Sequence, residues 1–455
     1  MQNSKPLRLT SQRKKTEPQK RVRIMKRRQF LQSASSAAGV TTSLGALSLT
    51  AGCANLAIGN APKVVVVGGG YAGATAAKYV RMWSNQGIEV TLVEPNASFV
   101  SCPISNLVVG GVKTMADITT PYDNLVKRHG VKWVQDRVVQ IDAEKRLVKL
   151  GSGAELPYDR LIVSPGVDFM FETLPGLSKP GAQDKVLHAW KAGAQTVALR
   201  KQLEAMPDGG VYALSIPLAP YRCPPGPCER ASVIADYFSK NKPKSKVLIL
   251  DANDDVTSKG PLFKKAWSDR YKGIVEYRPK HNLTDVDAAG NTLKFEFNDD
   301  VKADVLNVIP AMRAGDIAVK TGLATANKRW CEVDFLTFEA KAAKNIHVLG
   351  DSIQIAPAMP KSGHMANQHG KTCAAAVVAL LSGQEPNALP IYNNTCYSFV
   401  SANEVVHVAS VHRYDAEKKT MLTVPGSGGV SAVASELEAA YAFAWARNIW
   451  ADTLA

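Results

Sequence analysis

A glycine-rich turn between a buried strand and a helix is the feature that most constrains the fold of this chain. Four valines at residues 64–67 predict a buried strand. Gly68, Gly70 and Gly73 follow the strand with the G-x-G-x-x-G spacing. In that spacing the first glycine permits a tight turn, the second lets a pyrophosphate approach the backbone, and the third lets helix and strand pack closely. The N–H groups at the start of the predicted helix favour phosphate.

An acidic residue closes the next predicted strand. Glu94 follows Val-Thr-Leu-Val at residues 90–93, about 20 residues after Gly73. A carboxylate at this position binds a ribose hydroxyl in dinucleotide-binding βαβ units. The order strand, turn, helix, strand and acid therefore predicts a dinucleotide site. The alternative is a glycine turn in an ordinary α/β sheet.

The basic charge of the chain is concentrated near its N-terminus. Residues 1–62 hold eleven Lys and Arg and a single acid, so they carry +10 of the formal net charge of +15. The remainder has no concentrated basic stripe, so we expect no nucleic-acid binding. The cysteines and histidines form no metal-binding pattern, and no C-x-x-C-H motif indicates haem on this chain.

Residues 25–32 predict an export signal. Met-Lys-Arg-Arg-Gln-Phe-Leu-Gln is a twin-arginine pattern, and a weakly apolar stretch rich in small residues follows it to about Ala61. That stretch is too polar to span a bilayer, and no later segment is long and apolar enough. We therefore expect residues 1–61 to be a twin-arginine signal region and the mature protein to be periplasmic; a disordered basic tail is the alternative. A lipid anchor at Cys53 is disfavoured, because Thr50 is unusual at the first position of a lipobox.

A second α/β unit follows, but its first turn lacks the glycine fingerprint. The strand at residues 210–216 leads into a proline-rich segment, and the next helix is expected from about Ala231 to Lys240. Proline has no N–H to offer to a phosphate. The chain thus has the second α/β unit in which such proteins bind a nucleotide, but its turn lacks the phosphate-binding residues. This argues against NAD(P)H as a substrate.

Two further strand ends complete the predicted dinucleotide domain. Residues 158–166 resemble the strand and turn at which the chain of two-dinucleotide flavoproteins leaves the FAD domain, and they end at Gly166. Residues 345–351 form another strand that ends in Gly350 and Asp351. In FAD enzymes of this architecture that aspartate binds the ribityl chain; a plain N-cap is the alternative.

The element order predicts an α/β fold with two Rossmann-like three-layer domains and a C-terminal α+β domain. We expect residues 62–188 and 296–385 to form the FAD-binding domain. Residues 189–295 are expected to form the second Rossmann-like domain without a nucleotide, and residues 386–455 a C-terminal interface domain.

The chain resembles the flavoprotein subunit of flavocytochrome c sulfide dehydrogenase, within the glutathione-reductase-like flavoproteins. The resemblance extends over about residues 62–455, and its most specific segments contain cysteine. These segments are Val100-Ser-Cys-Pro-Ile-Ser-Asn106, Arg222-Cys-Pro-Pro-Gly-Pro227 followed by Glu229-Arg-Ala231, and Asn394-Thr-Cys-Tyr397.

The resemblance implies a redox disulfide between Cys223 and Cys396 beside the flavin. Hydrosulfide attacks a disulfide as a thiolate would, giving a persulfide and a freed thiolate. Spacing alone leaves a rival pairing of Cys223 with Cys228, although the Pro-Pro-Gly-Pro between them is stiff. The resemblance also makes Glu229 a proton acceptor on the same loop. Capping of the following helix is the alternative for Glu229.

Two further residues gain cofactor roles from the resemblance. Cys102 matches the cysteine that carries flavin through an 8α-thioether, so we expect covalent FAD. Lys361 is expected to place a positive charge near the N1–O2 edge of the flavin, with a solvated surface lysine as the alternative. His364 and His369 are expected at a satisfied polar surface.

The resemblance implies a periplasmic FAD-dependent sulfide dehydrogenase. Such an enzyme oxidises sulfide to sulfur or polysulfide and passes electrons to a c-type cytochrome subunit, with haem only on that partner. The nearest alternative is a sulfide:quinone oxidoreductase, which needs an apolar C-terminal membrane element. A non-catalytic flavoprotein that reactivates a sulfur-oxidation complex is the alternative from a different functional class.

Overall fold

The computed structural model describes residues 61–455, and the predicted export signal and Cys53 lie outside them. In chain order the strands are β1 Lys63–Val67, β2 Glu89–Val93, β3 Ser98–Val100, β4 Thr119–Pro121, β5 Lys132–Val134, β6 Val138–Asp142, β7 Leu147–Leu150, β8 Glu155–Pro157, β9 Arg160–Val163, β10 Val167–Phe169, β11 Val211–Ile216, β12 Lys246–Asp251, β13 Val275–Arg278, β14 Leu283–Asp287, β15 Thr292–Phe295, β16 Val301–Lys302, β17 Val305–Val308, β18 Met312–Ala314, β19 Ile346–Val348, β20 Ile391–Phe399, β21 Val405–Asp415, β22 Thr420–Thr423 and β23 Gly429–Val430. The α-helices are α1 Tyr71–Trp83, α2 Ser105–Val109, α3 Asp123–His129, α4 Ala182–Lys185, α5 Ala194–Ala205, α6 Gly226–Asn241, α7 Gly260–Arg270, α8 Asp316–Lys320, α9 Gly363–Leu381 and α10 Glu436–Leu454.

The first sheet is parallel, with the strand order β19-β9-β1-β2-β5. The valines of β1 lie at its centre and are at most 6% exposed, as expected for a strand covered on both faces. Helices α1 and α9 pack so closely that a Cβ on Gly370 would lie 2.6 Å from the carbonyl oxygen of Ala72. A Cβ on Gly363, the first residue of α9, would lie 3.1 Å from the ring of Tyr71, the first residue of α1, so the N-terminal ends of the two helices lie together.

The second sheet is also parallel, with the order β13-β12-β11-β17. Helix α6 follows β11 and begins at Gly226, five residues before the predicted start at Ala231. The sequence-based boundary was wrong because proline is compatible with the first helical turn, where no N–H is required. Glu229 therefore lies in the first turn of α6 and not on the loop before it.

The C-terminal region combines an antiparallel sheet with one long helix. Strands β20, β21 and β22 pair in that order, and β23 adds to β21. Helix α10 starts after Ser435, whose hydroxyl accepts a hydrogen bond from the N–H of Glu438. The helix carries four aromatic residues, Tyr441, Phe443, Trp445 and Trp450.

The predicted fold class is confirmed: two parallel α/β units are followed by an α+β region. The proposed residue boundaries between the domains stay predictions. Among the helices of residues 61–455, none is both long and apolar enough to cross a bilayer.

Candidate functional site

The glycine turn after β1 is shaped by two close approaches. A Cβ on Gly73 would lie 1.9 Å from the carbonyl oxygen of Gly68, so only glycine fits there. Gly68 itself has a φ of +95°, a conformation that glycine adopts without strain. Gly70 differs, because a Cβ there would meet no protein atom within 4 Å and the residue lines an open cleft. The turn thus leaves space directly in front of the N-terminus of α1.

Glu94 is held at this turn by backbone donors. Its Oε2 accepts a 2.7 Å hydrogen bond from the N–H of Gly69, and its Oε1 accepts from the N–H of Asn96 at 2.8 Å. The carboxylate is 7% exposed and does not line the cleft itself. Each oxygen of an ionised carboxylate accepts about two hydrogen bonds, so capacity remains for a hydroxyl donor.

One cleft collects most of the residues that the sequence singled out. It is bordered by the glycine turn, the first turns of α2 and α6, the loop before α9, and strand β20. Four predicted site residues do not line it: Gly68, Gly73, Glu94 and Lys361. The predicted site residues that line the cleft are Gly70, Cys102, Gly166, Cys223, Glu229, Gly350, Asp351 and Cys396.

The polar groups of the cleft fit a flavin dinucleotide. The Oδ1 atom of Asp351 is buried and has no hydrogen-bond partner, although the residue lines the cleft. Burial raises the pKa of this carboxyl, and a buried acceptor without a donor is costly. A polyol chain would supply the missing donor there, and the space at Gly70 would admit a pyrophosphate. Together these features match the ribityl and pyrophosphate parts of FAD.

The two cysteines predicted to pair both line this cleft. Cys223 has a φ of +57°, a left-handed conformation that costs roughly 1–2 kcal/mol for a residue with a Cβ. Its N–H donates to the carbonyl oxygen of Lys361 at 2.8 Å, which holds the strained loop. Cys396 lies in β20. The cysteines of residues 61–455 are free thiols in this structure, and burial raises the pKa of both Cys223 and Cys396.

Cys228 lies away from the cleft. It is 3% exposed on α6, and its carbonyl oxygen accepts a hydrogen bond from the hydroxyl of Ser232. Burial raises the pKa of its thiol. This placement is that of a buried free cysteine.

The carboxylate of Glu229 is buried at the base of the cleft. Its Oε1 accepts from the N–H of Phe399 at 3.0 Å, and its Oε2 accepts from the side-chain amide of Asn106 at 2.9 Å. Neither oxygen accepts a hydrogen bond from an N–H of α6, so Glu229 makes no capping hydrogen bond, but it lies in the first turn, where a carboxylate favours the positive end of the helix. Burial raises the pKa of Glu229 above its ordinary value, which makes the carboxylate a stronger base.

Arg230 is a functional-site residue that the sequence did not reveal. Its side chain is 1% exposed, and Nε donates to Oδ1 of Asn106 at 3.0 Å. The other nitrogens donate to the side chain of Asn307 and to the carbonyl oxygens of His188 and Ala189. These bonds tie α6 to α2 and to β17. Its signal in the sequence was its place in the segment Glu229-Arg-Ala231, in which only Glu229 was given a role.

Lys361 is buried beneath the cleft and does not line it. Its Nζ donates to the carbonyl oxygens of Asp351 and Ile353 at 2.8 and 2.6 Å, and it lies 3.6 Å from the ring centroid of Trp330. At 3% exposure it is not the solvated lysine of the alternative interpretation. Burial lowers its pKa to about 7. A charge at the flavin edge therefore stays a prediction.

His369 corrects a further expectation. It is 2% exposed, lies between the rings of Phe338 and Tyr392, and neither of its ring nitrogens has a hydrogen-bond partner. Burial lowers its pKa to about 3. The expectation that His369 lies at a polar surface was wrong, because its face of α9 packs against β20. His364 does border the cleft, and its Nδ1 accepts from the N–H of Thr395.

The fold and the cleft define the class of this protein. It is a flavoprotein with the architecture of the pyridine nucleotide-disulphide oxidoreductases, and the family model of that description matches residues 62–208. The model "Sulfide dehydrogenase [flavocytochrome c] flavoprotein chain, central" matches residues 196–310, and "Flavocytochrome c sulphide dehydrogenase, flavin-binding" matches residues 388–454.

The chain belongs to the family of flavoprotein chains of flavocytochrome c sulfide dehydrogenase, as the resemblance predicted. It is 59% identical over 46 residues to the flavoprotein chain of sulfide dehydrogenase [flavocytochrome c] from Chlorobaculum thiosulfatiphilum. That stretch covers 94% of the relative's sequence and 10% of this chain.

Sulfide:quinone oxidoreductases are also similar to this chain. The mitochondrial enzyme of Mus musculus is 28% identical over 324 residues, which cover 68% of this chain and 69% of the relative. The solved structure of the sulfide:quinone oxidoreductase from Aquifex aeolicus superimposes with a TM-score of 0.69 at 17% identity. That superposition covers 86% of this chain and 92% of the other, and it shows the shared fold.

Proposed function

We propose that this protein is a sulfide dehydrogenase that opens and re-forms a Cys223–Cys396 disulfide and passes electrons through FAD to a c-type cytochrome. One observation carries the proposal: two cysteines far apart in the chain line the same cleft as the unpaired carboxylate oxygen of Asp351. The family membership supplies the substrate class. Haem belongs to the partner and not to this chain.

The two cysteines perform the sulfur chemistry in this proposal. Hydrosulfide attacks one sulfur of the disulfide, so that a persulfide forms on one cysteine and the other leaves as a thiolate. A second hydrosulfide then attacks the outer sulfur of the persulfide, which leaves as hydrodisulfide (HSS⁻), the first polysulfide, and frees the cysteine that carried it. The two cysteines return to the disulfide by giving up two electrons. In the net reaction two hydrosulfide ions become one hydrodisulfide ion, one proton and two electrons. FAD supplies a two-electron acceptor that releases electrons singly.

The residues around the two cysteines are proposed to accept the proton and to hold the flavin. Glu229 is proposed to take the released proton, because burial raises its pKa and so makes its carboxylate a stronger base. Cys102, which borders the same cleft, is proposed to hold the flavin covalently. Asp351 is proposed to accept a hydrogen bond from the ribityl chain.

Anaerobic addition of sulfide to the purified flavoprotein tests the disulfide. We expect sulfide to bleach the flavin absorbance in the wild type and in Cys228→Ser. Cys223→Ser and Cys396→Ser should retain FAD and fail to bleach. Non-reducing digestion of the oxidised protein should yield one peptide pair that joins Cys223 to Cys396. Two free thiols at these positions would contradict the proposal.

A quinone is the second candidate electron acceptor. The 28% identity to a mitochondrial sulfide:quinone oxidoreductase favours it. Sulfide-reduced protein mixed with cytochrome c or with a soluble quinone analogue separates the two. Rapid reoxidation by cytochrome c alone supports the proposal, and rapid reoxidation by the quinone alone supports the second candidate.

The periplasmic location is proposed from residues 25–32. Replacement of Arg27 and Arg28 by lysine should keep the flavoprotein in the cytoplasm, because the twin-arginine pair would be lost. Cell fractionation with an antibody against the protein measures the distribution. Equal export of the wild type and the double variant would contradict this route.

A further inference from the structure

Lys259 is a buried ammonium with no carboxylate partner. It is 7% exposed, and among residues 61–455 no carboxylate oxygen lies within the 4.0 Å of an ion pair. Its three donors go to neutral acceptors: the carbonyl oxygen of Cys396 at 2.9 Å, the hydroxyl of Ser398 at 2.7 Å, and the carbonyl oxygen of Val406 at 3.5 Å. A buried charge without an opposite charge is costly and needs a reason.

The backbone conformation at Lys259 directs its side chain toward β20, the strand that contains Cys396. Lys259 has a φ of +60° and precedes the first residue of α7. The loop belongs to the second parallel unit, yet its ammonium reaches across to β20 and β21 of the C-terminal sheet. The contact therefore links the unit that carries Cys223 to the strand that carries Cys396.

The charged and titratable groups around the pair come from several elements. Glu229 of α6 and Lys259 before α7 influence both thiols, and Arg222 influences Cys223. Glu438 of α10 faces Lys259 more distantly and is paired with His407 of β21. Asn394 and Ser362 contribute the neutral polar groups near Cys396.

Lys259 is the strongest of the influences that favour a charged Cys396. Burial raises the pKa of the Cys396 thiol, and the ammonium of Lys259 opposes that rise more than any other group. Burial in turn lowers the pKa of Lys259, and Cys396 is the largest opposing influence. With both sulfurs joined or protonated, the ammonium has no nearby thiolate to balance it.

We propose that Lys259 is a positioning residue for the cysteine pair: its ammonium fixes β20 at Cys396 and stabilises the thiolate released when the Cys223–Cys396 disulfide opens. This inference rests on the proposed function. The electron pair of hydrosulfide forms the new S–S bond, and the pair of the broken bond stays on the leaving cysteine as negative charge. That charge appears near the buried ammonium, where the low dielectric strengthens the attraction.

Charge variants of Lys259 in the FAD-loaded protein test the proposal. Lys259→Met removes the ammonium, Lys259→Gln keeps a hydrogen-bond donor without charge, and Lys259→Arg keeps the charge. In the reduced protein, the rate of iodoacetamide alkylation against pH gives the pKa of the more acidic thiol. Equilibration with glutathione buffers gives the stability of the disulfide.

We expect the two neutral variants to raise the thiol pKa by about one unit or more. They should also make the disulfide about tenfold harder to reduce, which is about 30 mV. Lys259→Arg should stay within about twofold of the wild type in both measurements. The matched control is Lys264→Met, which removes a half-exposed lysine from α7, the helix that follows Lys259, and should change neither quantity.

A purely structural role predicts a different pattern. Ser398→Ala removes an acceptor of the ammonium but keeps its charge, so it should leave the thiol pKa unchanged. Equal effects of Ser398→Ala and Lys259→Gln, or no effect of Lys259→Gln, would overturn the inference. Should Lys259→Met not fold, the glutamine and arginine variants carry the comparison. Absence of a Cys223–Cys396 link in the oxidised wild type would instead overturn the proposed function.

Discussion

The side-chain amide of Asn106 donates a 2.9 Å hydrogen bond to Glu229, and the oxygen of the same amide accepts from Arg230 at 3.0 Å. A guanidinium has donors only, so Arg230 requires the amide oxygen on its side. The amide nitrogen must then face Glu229. Asn106 therefore favours the charged form of a carboxyl that burial drives toward the neutral form.

Replacement of Asn106 by leucine should raise the pKa of Glu229 further, because a donor to the carboxylate is lost. The pH at which sulfide-dependent flavin reduction is half-maximal should move upward by about one unit. The variant should also lose about 1–3 kcal/mol of stability, since Nε of Arg230 becomes a buried unpaired donor. A stopped-flow pH profile measures the first effect. An unchanged profile in a folded variant would remove Glu229 from the proton path.

The stability of the protein should depend on pH through Glu229. Its pKa is raised in the folded state, so the folded protein binds this proton more tightly than the unfolded chain. The contribution is fully present below the unfolded pKa of about 4.3 and is lost as pH rises through the folded pKa. The Glu229→Gln variant has no titratable group at this position, so it does not lose stability in this way. The wild type should therefore lose stability relative to Glu229→Gln as pH rises from about 4 toward neutrality. Urea denaturation of both proteins across this range checks the sign.

Alanine at Gly73 should reduce stability, whereas alanine at Gly70 should reduce FAD binding. At Gly73 the new Cβ would collide with the carbonyl of Gly68, so we expect a loss of about 3 kcal/mol or no folding. At Gly70 the backbone φ of −72° suits alanine and no protein atom is near, so stability should change by less than about 0.5 kcal/mol. Gly70→Ala should nevertheless bind less FAD, because its methyl occupies the cleft. Normal FAD content in Gly70→Ala would contradict the assigned pyrophosphate position.

Cys102→Ala should convert bound flavin from covalent to removable. Acid precipitation should leave flavin on the wild-type polypeptide and release it from the variant, because the thioether would be absent. Cys331→Ala is the control, since Cys331 is buried and does not line the cleft. Mass spectrometry of the precipitated chains gives the readout. Full release of flavin from the wild type would show that no covalent bond forms.

Lys361 should make stability depend on pH in the alkaline range. Burial lowers its pKa to about 7, against an unfolded value of about 10.4. A lowered pKa contributes stability that is present above the unfolded value and is lost as pH falls through the folded value. The wild type should therefore gain stability relative to Lys361→Met between about pH 7 and about pH 10, by 1 kcal/mol or more. Guanidinium denaturation measures the difference, and Lys264→Met should show no such trend.

Local patterns predicted the glycine turn, the strand that ends at Glu94 and the strand that ends at Asp351, because each depends on a short run of residues. They were wrong where a local pattern suits two structures or where packing against distant residues sets the outcome. The start of α6 at Gly226 was missed because proline suits both a loop and a first helical turn. The burial of His369 was missed because polarity usually indicates exposure, and only its neighbours showed otherwise.

Local sequence patterns were enough to predict the class of fold, the family and eight of the residues that line the cleft, since glycine spacing, proline and cysteine peptides act through local geometry. The tertiary structure alone decided that Asn106, Arg230 and Lys259 surround Glu229 and the cysteine pair. These three residues come from separate elements, and a hydrogen bond or a charge interaction between them depends on distances that no local sequence pattern encodes.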